Sequence, residues 1–242
     1  MRKILINLLL ILSLNTSAQE ILSLKDRAEV IMKLQKDRLD NLLPSIMQKN
    51  DIDMWVLMTR EYNEDPVIKT MLPPTWLNAR RRTILVFSRN IQTGKFKSVA
   101  ITRYPFGNNI PSIWIKEEQP NQLKALSDYI EKENPKKIGI NFSKHESLSD
   151  GLSKNGFDEL YSSLPTKFQK RLVSAEKLSI AWIETRTNLE MIIFSKLVEI
   201  SNNIIKEAFS TKVITPGVTT TDDVVWWMRE KVIHMGIQTW FH

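Results

Sequence analysis

The chain of 242 residues contains no cysteine. That absence excludes disulfides and attachment of a lipid through an N-terminal cysteine, so the fold is held by its core alone. Glycine is scarce, with seven in all, and neither a phosphate-cradling loop nor a dinucleotide fingerprint can be built from those present. Histidine is scarcer. His145, His234 and His242 stand far apart, with no HExxH or comparable ligand spacing. The sequence shows no Ser-His-Asp arrangement, internal repeat or low-complexity segment.

What is present begins with an address. Met1-Arg2-Lys3 is a short basic start, Ile4 to Leu14 is an apolar core, and Thr16-Ser17-Ala18 places small residues before Gln19. This is the pattern of a secretory signal peptide over residues 1–18, cleaved after Ala18. The apolar segment falls well short of the roughly 20 residues that cross a bilayer. The expected product is exported to the periplasm or the extracellular space, with no membrane attachment after cleavage. Loss of Arg2 and Lys3 takes the formal charge from +7 to about +5. This surplus is dispersed along the chain rather than clustered in a stripe, which argues against a nucleic-acid partner.

After the leader, Leu24, Ala28, Ile31, Leu34, Leu42 and Ile46 recur at helical spacing, and Pro44 is expected to end or kink that helix near Leu43. Ile52 to Thr59 reads as a strand buried on both faces. Thr83 to Ser88 and Phe96 to Thr102 read as a hairpin around Gln92-Thr93-Gly94. A helix over 121–133 follows Pro120, read as a first-turn proline, and Lys137 to Phe142 reads as a further strand. Shorter helices are expected over 157–164 and 166–172. This alternation predicts a three-layer α/β domain over about residues 20–175.

The end of the sequence is patterned differently. Thr187 with Glu190 forms a predicted capping box, and Leu189, Ile193, Leu197, Ile200, Ile204 and Ala208 make an apolar helical stripe. A Pro216-Gly217 turn follows. Thr220 or Thr221 is read as capping a second helix, with Asp222 and Asp223 in its first turn and Gly236 as a left-handed terminator. Ile237 to Phe241 reads as the beginning of a sheet.

Segment 182–242, with WIETRTNLE, ITPGVTTTDDVVWWMREK and MGIQTWFH, resembles the opening of a pita-bread metallopeptidase domain, on the Xaa-Pro aminopeptidase and prolidase branch. Residues from about Asp26 to Val173, including MWVLMTREYNEDPV and WLNARRRTILVF, resemble the creatinase-type domain that precedes it. The resemblance implies a creatinase-type N-terminal three-layer α/β domain over 19–177, then the truncated start of an α+β pita-bread catalytic domain over 178–242. It also implies, for full-length relatives, release of an N-terminal residue from a peptide with proline second. Two divalent ions (manganese, cobalt or zinc) would be held there by two aspartates, a histidine and two glutamates on strands after the second helix, and would lower the pKa of a bridging water. None of these ligands maps onto this sequence, so no metal, cofactor or catalytic residue is assigned and the chain alone is expected to be inactive. The alternative is a non-catalytic exported module that uses the creatinase-type fold for binding or for forming a homodimer.

The other candidates have plain readings. Asp222 and Asp223 are neighbours on a helix and diverge by about 100°, so they serve as capping charges rather than a metal clamp. His234 sits in a last helical turn, where a cation suits the dipole. His242 is the single candidate for substrate contact, because a histidine near this part of the sheet does so in the family; the plainer reading is a terminal residue. Trp226 and Trp227 face different ways, so one is read as core packing and the other as semi-exposed or at an interface, with core packing the plainer reading. Arg80-Arg81-Arg82 reads as a solvated approach to a strand, with a basic rim as its alternative, and Arg60 to Asp65 as a loop with local ion pairs, with a cleft-lining role as its alternative.

Overall fold

A computed structural model describes residues 21–90 and 92–239. The leader read at 1–18, and the candidate His242, lie outside the described residues. The described chain forms two compact units: Ala28–Leu189, and a smaller one running from Glu190 onward together with the residues before Ala28.

The larger unit is built on β1 (Met54–Arg60), whose first six residues are all buried, as a continuous apolar run requires. It pairs antiparallel with β2 (Arg82–Arg89), which pairs antiparallel with β3 (Phe96–Ala100). On its other side β1 runs parallel to β4 (Ile138–Ile140), and β4 to β5 (Leu172–Ser174), giving the order β3-β2-β1-β4-β5. The alternation of side chains sorts the core into two layers. Trp55, Leu57, Leu85 and Phe87 face one way, against α2 (Leu43–Lys49), α3 (Pro66–Met71) and α7 (Glu176–Glu184). Met54, Val56, Met58, Ile84 and Val86 face the other, against α4 (Gln122–Glu133), α5 (Lys154–Ser163) and α6 (Thr166–Gln169). Helices on both faces of a mixed sheet make this a three-layer α/β domain.

Local chemistry explains several boundaries. Helix α1 (Leu24–Asp37) does not stop at Pro44; it widens into a π-turn over Arg38–Leu42 and continues as α2. The Leu43 N–H reaches back five residues to the Arg38 carbonyl. This wider turn accommodates a ring that would collide with the carbonyl four residues back. Asn90 closes the β2–β3 hairpin by accepting from the Gln92 and Thr93 amides, and Gly94 takes φ +66°. Asn121, rather than Pro120, caps α4, accepting from the Leu123 and Lys124 amides, so the proline lies just outside the helix. Sequence periodicity did not predict α3, β5 or α7, each of which is short. The sequence-read boundary at 177/178 falls inside α7, whose Leu178 and Trp182 are buried in the larger unit. Arg38 lies across the Trp182 ring at 4.2 Å and donates to the Thr185 carbonyl at 2.9 Å.

In the smaller unit, α8 (Asn188–Ala208) buries only Ile204 and Ala208, and α9 (Thr221–His234) buries no residue. Met191, Ile192, Phe194, Leu197, Val198 and Ile205 of α8 are exposed. Thr220 caps α9 in a reciprocal box with Asp223. At the other end the Gly236 amide bonds to Ile233 and the Ile237 amide to Val232, a Schellman closure that needs the φ of +65° found at Gly236. Residues 237–239 form no strand.

Candidate functional site

Because β1, β4 and β5 run parallel, their carboxyl ends and the loops that follow gather on one side of the sheet. In open α/β sheets this is the edge where ligands are bound. Here it holds a buried polar network and, beside it, a cleft lined by arginines.

The network centres on Asp65, which is fully buried. Its Oδ1 accepts from the Val67 and Ile68 amides at 2.8 and 3.2 Å, capping α3. Its Oδ2 accepts from Asn141 Nδ2 at 2.9 Å. Asn141 Oδ1 in turn accepts from Trp55 Nε1 at 2.8 Å and Ser179 Oγ at 3.0 Å. The Asp65 amide donates to Thr59 Oγ1, whose hydroxyl donates to the Asn63 carbonyl. Gly151 is pressed on the carboxylate so closely that a methyl group there would overlap it. Burial pushes the Asp65 carboxyl above its ordinary range, and the Asn141 amide and the two backbone amides pull it back. Each polar atom in this network has a partner, and the network ties β1, β4, α3 and α7 together. Buried and with both carboxylate oxygens engaged, Asp65 acts as structure.

The cleft beside the network is lined by Thr59, Arg60, Asn63, Arg82 and Ser153, and encloses space on the order of one water molecule. Arg82 Nη2 lies 2.7 Å from Oε2 of Glu159 on α5, and Arg60 Nη2 lies 3.3 Å from Oε1 of the same carboxylate. All three side chains are partly exposed.

The structure scatters the other residues singled out by sequence. In the loop of Arg60 to Asp65, Glu64 Oε1 accepts from the Tyr62 and Ala79 amides, so this acid serves the backbone. Arg80 lies 4.7 Å from the Trp76 ring, and Arg81 takes a left-handed φ of +33° at the surface. Asp223 accepts from the Thr220 amide and hydroxyl, and those bonds, the backbone one foremost, hold its carboxyl below the usual range. His145 and His234 are both exposed, on a loop and in the last turn of α9. The expectation of core packing for Trp226 and Trp227 is corrected. Trp226 is 59% exposed with the Arg229 guanidinium 4.9 Å from its ring, and Trp227 is half-buried beside Lys231. The reason is that, among the described residues, the unit covers α9 only in part, leaving each of its residues at least partly exposed. Among the described residues no group of three or more carboxylate or imidazole side chains could hold a metal ion.

Sequence reasoning missed Asn141, Gly151 and Glu159. The dipeptide Asp65-Pro66 was a legible helix start, but the partners of Asp65 come from residues 76 and 86 positions further along the chain.

The described residues thus define a three-layer α/β domain with a helical pair beyond it. No family model matches the sequence, and no curated protein matches it. Among solved structures the chain is similar to a Xaa-Pro dipeptidase from Bacillus anthracis, at 13% identity and a TM-score of 0.44, over 86% of this chain and 50% of that one. The chain therefore spans about half the length of that protein.

Proposed function

We propose that this chain is the N-terminal part of an exported Xaa-Pro aminopeptidase-like metallopeptidase: a creatinase-type α/β domain followed by the first two helices of a pita-bread catalytic domain. The observation that carries the reading is α8. Its apolar residues Met191, Ile192, Phe194, Leu197, Val198 and Ile205 are exposed on several sides of the helix, a pattern that belongs to a helix meant for the inside of a larger body. The motif order in 182–242 names the body it suits. On this reading the α/β unit positions or assembles the enzyme, and the hydrolytic chemistry belongs to sequence the chain does not supply.

Two measurements test the proposal. The reading frame beyond the codon for His242 should continue into paired aspartates, then a histidine and two glutamates; a stop codon followed by unrelated sequence would overturn the proposal in favour of a self-standing binding module. The purified chain, supplied with manganese or cobalt, should release no N-terminal residue from Xaa-Pro peptides. Metal-dependent release would show that the ligand set is wrongly placed outside it.

A further inference from the structure

The geometry points to an oxyanion-binding cleft at the carboxyl end of β1, made by Arg60 and Arg82 and recognising a carboxylate or phosphate group. It stands on the α/β unit alone. Three observations converge on it. First, the cleft lies at the sheet edge where ligands gather, between β1, the start of β2 and the approach to α5. Second, two guanidiniums meet a single carboxylate, Glu159, leaving a formal surplus of one positive charge. Third, the donors are largely unspent. Each guanidinium carries five N–H groups in a planar fork suited to paired oxygens. Among the described residues only one of these, from Arg82 to Glu159, makes a hydrogen bond. The Asn63 side-chain amide lines the same cleft and has no hydrogen-bond partner among the described residues.

Glu159 shows which chemistry fits. Its two oxygens are shared out, one to each arginine, so an incoming anion with at least two oxygens can join or replace it on the same fork.

The test uses the full chain at low ionic strength, following the Arg60 and Arg82 side-chain Nε–Hε NMR signals during separate titrations with inorganic phosphate and with acetate. Saturable shifts of both signals are expected. A response to phosphate alone identifies the phosphate class, and a response to acetate alone identifies the carboxylate class. Arg82→Gln should weaken binding by about tenfold, because a charge-assisted bond is lost. Glu159→Gln should strengthen it, because the internal competitor is removed. All three side chains are partly exposed, so both variants are expected to fold, and far-UV circular dichroism checks this; if Arg82→Gln fails to fold, the Glu159→Gln comparison decides alone. The inference is overturned if the signals do not move in either the wild type or Glu159→Gln, if sodium chloride at matched ionic strength moves them equally, or if Glu159→Gln binds more weakly than wild type.

Discussion

Asp65 combines two roles that are usually separate, a helix cap and the hub of a buried network. Asp65→Ala removes the cap on α3 and leaves the Asn141 amide unpaired in the core, so a loss of about 2–4 kcal/mol is expected in urea denaturation. Gly151→Ala drives a methyl group into the same carboxylate and should cost about 1–3 kcal/mol; no measurable change would show that the loop can move aside. The raised Asp65 carboxyl also sets a pH sign. A carboxyl whose folded pKa lies above its unfolded value binds the proton more tightly when folded. Its contribution is therefore fully present below about pH 4 and is lost as the pH rises through the folded value. Asn cannot titrate, so the stability advantage of wild type over Asp65→Asn should shrink as the pH is raised from 4 to 7. An advantage that grows with pH would contradict the burial argument.

At the scale of elements, caps and turns were legible because their causes lie within a few residues. Gly94 and Gly236 stand where a positive φ is needed, and Thr220 with Asp223 closes a reciprocal box. Thr220→Ala should cost about 1 kcal/mol locally, seen as about fivefold faster exchange of the amides in the first turn of α9 with the rest of that helix little changed. Unaltered exchange would mean that another group holds that turn. Three short elements, α3, β5 and α7, were not legible, since each shows too little periodicity to stand out. The π-turn before Pro44 was half legible. The proline announced a disturbance, but whether the helix ends there or widens depends on what holds the second half. That is the burial of Leu43, Ile46 and Met47 against the sheet.

At the scale of the whole molecule, the two units differ in how much apolar surface they hide. Ala28–Leu189 buries both faces of its sheet, whereas the helices beyond it leave theirs largely exposed. Limited proteolysis should therefore cut within 190–239 first and leave a resistant fragment close to Ala28–Leu189. Equal resistance across both would contradict this difference in burial. By itself the sequence determined the layering and the strand–helix alternation, because side-chain period and burial are set by neighbours one to four residues away. It also determined the cap of α9 for the same reason. Only the tertiary structure decided that Asp65 meets Asn141, that Arg60 and Arg82 converge on Glu159, and that Trp226 lies exposed. Those outcomes depend on which distant segments the sheet order brings side by side, and on whether a partner surface is present to cover an apolar face.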